Sequence, residues 1–373
     1  MPAPPDRPSD STHADGLGRD VLVERPSEAL LASELEGLVV DGELIPVAAI
    51  EADPKAHRHK LGVGAWLAIV WMALMVGMAI LAPILPVGDP EETISAEEIR
   101  EQGNCVTVER LGREIEQCNI AARGPFADDG GAPGYLLGGD GNGRSMAARL
   151  VYGARTSLFV ATGAVLVGFV FGGSLGLIAG YFGGKIDTVL TGMFNVLLSI
   201  PAIILALALV SFLAPQSSEG AGVDPPWWRS SSMILIYAIG VVAIPLLGRI
   251  TRAATLTWSQ REFVLAARAQ GAKNARIMIR EVLPNVLPAM LSITLLGIAV
   301  AIVAEGALSI LGVGVRPPTP SWGNIIALDR AYLLTGAPHI VLEPATLIFV
   351  TVLSLNYLGD VVRARFDVRE AGI

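Results

Sequence analysis

Charge is scarce in this chain of 373 residues, with Asp, Glu, Lys and Arg making up 17% against roughly 25% in soluble domains. That shortage, beside a hydrophobic content of 52%, excludes an ordinary water-soluble domain and indicates a polytopic membrane protein. Four histidines and two cysteines leave little material for a metal site, so no metal or cofactor is expected. The net charge of −8 offers no strongly basic face to nucleic acid. The first apolar run begins too late for a signal peptide.

Acid and base are segregated along the chain. Residues 1–60 are polar, acidic and proline-containing and read as a largely disordered cytoplasmic extension, with a small local element within 29–52 around Leu38, Val39, Val40, Ile45 and Val47. Residues 61–85 carry no charge and suffice for one spanning helix. His57 and His59 in the preceding HRHK read as a snorkelling basic flank rather than metal ligands. Residues 86–149 form a polar insert with twelve Asp and Glu against six Arg, expected outside the cell.

Both cysteines, Cys105 and Cys118, lie in this insert. Around a two-residue turn at Leu111–Gly112 they fall opposite one another in an antiparallel hairpin, where a disulfide can close. Glu109 facing Glu114 and an unfavoured turn sequence argue the other way, so two free thiols remain the alternative. Gly138–Ser145, GGDGNGRS, nearly spells a phosphate-binding loop, but Arg144 replaces the lysine and no strand precedes it. It reads as a glycine-rich lead into the next helix, and 144–155, with three arginines, reads as an interfacial helix.

Further spans are expected at 156–184, at 188–214 with a kink near Pro201, at 230–248, at 282–311 and at 340–359, giving six helices in an all-α membrane protein. The second carries Gly168, Gly172, Gly176 and Gly180, each four apart, a stripe against which another backbone can pack closely. Two polar groups lie at membrane depth, Asn195 and Glu305. Both are candidates for the transport pathway, and Asn195 is expected to face protein. A structural, hydrogen-bonded Glu305 is the alternative. Residues 312–338 read as an outer loop and 362–373 as a cytoplasmic tail.

One long basic segment interrupts this apolar half. Residues 249–281 hold seven basic and two acidic residues, and for a short loop that excess indicates the cytoplasm. Within it, Arg261–Pro284 reads REFVLAARAQGAKNARIMIREVLP, a helix–turn–helix. Ser259 and Glu262 have capping-box spacing, Gly271 suits a left-handed helix end, Asn274 suits a second N-cap, and Pro284 marks the next apolar run.

Ala266, Ala267, Gly271, Leu283 and Pro284 resemble the "EAA" loop of inner-membrane permeases in ATP-binding-cassette importers. The glutamate of that motif would fall at Leu265, a departure that removes any ion pair made there. The match continues in YGARTSL at 152–158, AGYFGGKID at 179–187, VLPNVLPAML at 282–291, AEGALSILGVGVRPPTPSWGN at 304–324 and LNYLGD at 355–360. Over about 150–361 the chain resembles the "C" subunit of peptide and nickel importers of this kind. The resemblance implies a type I (MetI-like) permease domain and no catalytic residue. It implies a second permease, two cytoplasmic ATPases and an external solute-binding protein as partners, beside membrane lipid. It also implies ATPase coupling through Glu262, Ala266, Ala267, Gly271, Leu283 and Pro284. Peptides are the implied solute, with nickel complexes and glutathione-like compounds as alternatives.

Two other classes predict features that are missing. A secondary transporter predicts inverted repeats or several intramembrane charges, and a membrane enzyme predicts clustered nucleophiles, bases or metal ligands.

Overall fold

The computed structural model describes residues 38–40, 43–45, 62–93, 106–110, 113–117, 137–214, 226–333 and 337–367. The chain divides into two units, Met1–Lys60 and Leu61–Ile373. In the first, β1 (Leu38–Val40) pairs antiparallel with β2 (Glu43–Ile45), Leu38 opposite Ile45. This lies inside the stretch expected to form a local element.

The second unit holds the apolar helices, because a backbone in lipid must bond within its own segment. They are α1 (Val63–Leu81), α2 (Met146–Phe182), α3 (Gly184–Ser199) with α4 (Ala202–Leu213), α5 (Ser231–Ser259), α7 (Asn274–Ile310) and α9 (His339–Asp367). Five are long and apolar enough to cross a membrane, and α3 with α4 makes the sixth as one span bent by 89°. The bend falls at Ile200 and Pro201, both extended, where proline was expected to kink the span. Two short helices complete the bundle, α6 (Glu262–Ala269) and α8 (Trp322–Asp329).

Between α1 and α2, β3 (Val106–Arg110) pairs antiparallel with β4 (Arg113–Gln117). The register sets Val108 opposite Ile115 and Glu109 opposite Glu114, with two residues between the strands. That is the hairpin read from the sequence. Cys105 and Cys118 lie outside the described residues.

Several helices run past their expected ends. α2 begins ten residues before 156, and the expected interfacial segment 144–155 is its first three turns. Ser145 caps it by accepting the Ala148 N–H at 3.4 Å. Arg149 is buried rather than interfacial, because Asp140 sits against it at 2.7 Å. α5 continues through 249–259, where Arg252 pairs with Asp187 of α3. α7 begins at Asn274, so the expected loop 249–281 shrinks to α6 and its two turns. The expected outer loop 312–338 contains α8, which is mostly buried. α9 starts near the expected 340 but continues to Asp367, into the expected tail.

The larger of two apolar cores runs through α1, α2, α4, α5, α7, α8 and α9, including Met75, Ala161, Val210, Leu235, Ile302, Trp322 and Leu355. The glycine stripe of α2 faces α5. A Cβ on Gly172 would sit 2.3 Å from the Ile244 carbonyl oxygen, and one on Gly176 2.2 Å from that of Gly248. Gly168 and Gly180 face Ala243 and Arg252 in the same way. No side chain fits between these backbones.

Candidate functional site

Residues 260–273 form a compact knob between the ends of α5 and α7. α6 starts after Arg261, which caps it by backbone alone. The expected capping box does not form, because Ser259 instead donates its hydroxyl to the Leu256 carbonyl at 3.1 Å, still inside α5. The stop is as the sequence suggests. Gly271 has φ +80°, its N–H reaches the Arg268 carbonyl at 2.9 Å, and the Ala272 N–H reaches the Ala267 carbonyl at 3.1 Å. These two bonds are a Schellman motif, which needs a residue tolerant of the left-handed conformation. Asn274 is the first residue of α7 rather than its cap, which is Lys273. Its side chain is engaged elsewhere.

The knob has its own small core. Val264, Ile277, Val282, Val286 and Met290 are buried together with Leu177 and Tyr181 from the end of α2, and Trp258, Ala267, Ala272 and Leu283 pack around them. Ala267 and Leu283 therefore face partly inward and build the knob. Glu262, Ala266, Gly271 and Pro284 are exposed. Leu265, standing where the resemblance expects glutamate, is 54% exposed, and Phe263 and Ile279 are exposed beside it. Arg261, Arg268, Lys273, Arg276 and Arg280 surround them, all exposed. An apolar, alanine-lined patch rimmed by cations suits a protein partner with acidic edges.

α7 changes winding just above the knob. Met278–Val282 is a π-helical turn immediately before Pro284, which lacks an N–H and crowds the carbonyl four residues back. Asn285 Nδ2 donates to the Glu281 carbonyl at 2.6 Å, supplying one bond the ladder loses.

At the other end of α2 a second polar cluster holds α8. Glu305 of α7 is fully buried and accepts hydroxyls from Ser321 at 2.8 Å, Ser309 at 3.0 Å and Ser157 at 3.2 Å. The Gly323 backbone also bonds to it. A carboxylate beside the first turn of α8 complements the unpaired N–H groups there. Ser321 caps that helix in a capping box with Asn324. Trp322 donates its backbone N–H to Ser157 Oγ at 3.1 Å and its indole N–H to the Leu150 carbonyl at 3.1 Å. Glu305 is thus held by four partners within this chain, an arrangement of the kind weighed as the alternative to a pathway role.

The far end of α8 meets the buried pair of arginines. Asp140 accepts Arg144 Nε at 2.7 Å and lies 2.7 Å from Arg149 Nη1. Burial pushes the Asp329 carboxyl up from its ordinary value, Asp140 adds to this, and Arg149 and Arg144 oppose it. Residues 140–145 are therefore a turn closed by Asp140, which accepts the Asn142 and Arg144 N–H groups and pairs with the Arg144 side chain.

Asn195 does not join Glu305. It is exposed on α3, because the face that turns inward carries Phe194, whose ring fills the space beside Gly248. Its expected protein contact is not made within this chain. The glycine stripe, by contrast, runs toward the knob, ending at Gly180 beside Tyr181. The contacts of Tyr181, Trp322 and Arg149 could not be read from local spacing, since Asn274, Leu150 and Asp140 reach them only through folding. No group of three or more metal-ligating side chains occurs among the described residues.

Comparison with known proteins adds to this geometry. Residues 172–371 match the family described as binding-protein-dependent transport system inner membrane component. The dipeptide transport system permease protein DppC of Alkalihalophilus pseudofirmus is 37% identical over 245 residues, 66% of this chain and 73% of that protein. DppC of Haemophilus influenzae is 31% identical over 304 residues, 82% of this chain and 90% of that protein. The glutathione transport system permease protein GsiD of Pectobacterium atrosepticum is 32% identical over 240 residues, 64% of this chain and 74% of that protein. With its apolar helices, buried glycine seam and exposed basic knob, the chain belongs to the family of inner-membrane components of binding-protein-dependent, ATP-driven transport systems.

Proposed function

We propose that this chain is one of two permease subunits lining the passage of a peptide importer. The observation that carries this reading is the knob, which pairs an exposed apolar patch with its own small core. Such a unit can be pushed as one body. Partner ATPases would grip it through Glu262, Ala266, Gly271 and Pro284, with Ala267 and Leu283 holding the gripped surface in shape. The chain itself hydrolyses nothing. ATP-driven movement of the knob would rock α5 and α7, to which it is directly joined.

The basic excess of 249–281 supports a cytoplasmic knob, and six spans would then put both termini on that side. The solute-binding protein then delivers its load at the end where α8 lies. Asn195 and the exposed face of α3 turn toward the second permease and the shared passage. Peptides are the solute favoured by the names of the relatives. Glutathione is the second reading, supported by GsiD, and shares the charged termini of a short peptide.

The test is reconstitution with the second permease, the ATPases and the binding protein, followed by uptake of labelled dipeptide and of glutathione. Uptake should need ATP and the binding protein. Gly271→Trp should abolish uptake by placing bulk on the exposed, gripped surface, beyond the backbone cost at φ +80° that Gly271→Ala shares. Normal coupled transport by that variant, or solute passage through the purified subunit alone, would sink the proposal.

A further inference from the structure

The knob is joined by the chain to α5, ending at Ser259, and to α7, beginning at Asn274. α2 has no such link, since its last residue, Phe182, leads into α3. Yet α2 reaches into the knob. Leu177 and Tyr181, 8% and 7% exposed, share the core of Val264, Ile277 and Met290.

Tyr181 makes the directional contacts. Its hydroxyl donates to Asn274 Oδ1 at 3.1 Å. The Arg268 guanidinium carbon lies 5.2 Å from its ring centroid, within cation–π range. One side chain of α2 therefore holds both halves of the knob, α6 through Arg268 and the first turn of α7 through Asn274. Arg268 belongs to the exposed surface of α6, so a force on that surface bears directly on the ring.

The other end of α2 holds α8. Arg149, Leu150, Gly153 and Ser157 all face the α8 cluster, Gly153 lying against the Trp322 ring and Ser157 against its N–H. At about 1.5 Å per residue the 37-residue helix spans the whole bilayer and more. Between its ends, Gly168–Gly172 is a π-helical turn, set in the glycine seam where α2 packs directly on the backbone of α5.

We propose that Tyr181 is the positioning residue through which the knob drives α2, so that movement of the docked helix reaches α8 directly as well as through α5 and α7. This rests on the docking reading above. A helix attached only by packing follows the knob only while that attachment holds, and Tyr181 supplies its polar and cationic contacts.

The experiment uses the complete complex in vesicles, with ATP hydrolysis and labelled dipeptide uptake measured on the same preparation. In Tyr181→Leu, hydrolysis stimulated by the binding protein should persist while dipeptide taken up per ATP falls about five- to tenfold. Asn274→Ala removes the acceptor of the Tyr181 hydroxyl and should likewise leave hydrolysis intact while lowering uptake per ATP about twofold. Tyr181→Phe keeps the ring and loses the hydroxyl, and should cost about twofold. Tyr181→Trp restores a ring face to Arg268 and should recover most of the uptake lost in Tyr181→Leu.

Native uptake per ATP in Tyr181→Leu would overturn the joint. So would a parallel loss of hydrolysis and uptake, since that marks Tyr181 as part of the docking surface's folding alone. Normal coupled uptake by Gly271→Trp would refute the docking reading itself, which separates the two failures.

Discussion

Glu305 and Ser321 stand 2.8 Å apart, a buried carboxylate holding a helix N-cap sixteen residues further along the chain. Two further hydroxyls and a backbone group bond the same carboxylate. Glu305→Ala would strand three buried hydroxyls and should cost about 3 kcal/mol or more. Glu305→Gln keeps the shape and lets the hydroxyls reorient, costing about 1 kcal/mol. Melting temperatures in detergent should follow that order. Dipeptide selectivity of the Gln variant should match the native protein, and a changed selectivity would assign the carboxylate to the pathway.

The charge cluster at the far end of α8 separates two aspartates with opposite consequences. Asp140→Asn leaves Arg144 and Arg149 buried without their close carboxylate, a loss of about 3–5 kcal/mol. Asp329 differs. Its pKa is raised, chiefly by burial, so the folded protein holds the proton more tightly than the unfolded chain. Its contribution to stability is full below the ordinary carboxylate range and declines as pH rises through it. Asp329→Asn should flatten the fall in melting temperature above about pH 4. A curve unchanged in shape would show that this carboxyl does not titrate within the fold.

The seam between α2 and α5 permits no added atom. Gly176→Ala places a methyl 2.2 Å from the Gly248 carbonyl oxygen and should destabilise by about 1–3 kcal/mol. Gly77 in α1 is the control, since a Cβ there meets nothing within 4 Å. Gly77→Ala should be neutral or stabilising by about 0.5–1 kcal/mol, from helix propensity alone. Thermal unfolding of the two single variants measures both.

Gly271 tests conformation apart from bulk. Its φ of +80° costs an alanine about 1–2 kcal/mol, yet nothing crowds the added methyl. Gly271→Ala should lower stability by that amount and retain ATP-dependent uptake. Loss of uptake without loss of stability would mean that the partner surface lies against this residue even more closely than the docking reading requires.

Local features were legible and distant ones were not. The β3–β4 register follows from a two-residue turn, and the Schellman stop follows from glycine after an alanine-rich helix. The glycine stripe follows from a four-residue period on one helix face. Ser259 and Glu262 show the limit of such reading. Their spacing is right for a cap, but α5 runs through Ser259, because Arg252 finds Asp187 and nothing ends the helix earlier. The start of α2 at Met146 was hidden for a similar reason, since three arginines suggest a membrane surface until Asp140 is brought against Arg149.

What the sequence alone determined is the membrane class, the spans, the bend at Pro201 and the basic knob, because each depends on residues adjacent in the chain or one helical turn apart. The tertiary structure decided what Glu305, Tyr181 and Arg149 do. Each is a polar group buried in apolar surroundings, where its role is set by the partner that satisfies it. Ser157 lies 148 residues from Glu305 and Asn274 lies 93 from Tyr181. No spacing rule reaches that far, and only packing of the helices brings such pairs into contact.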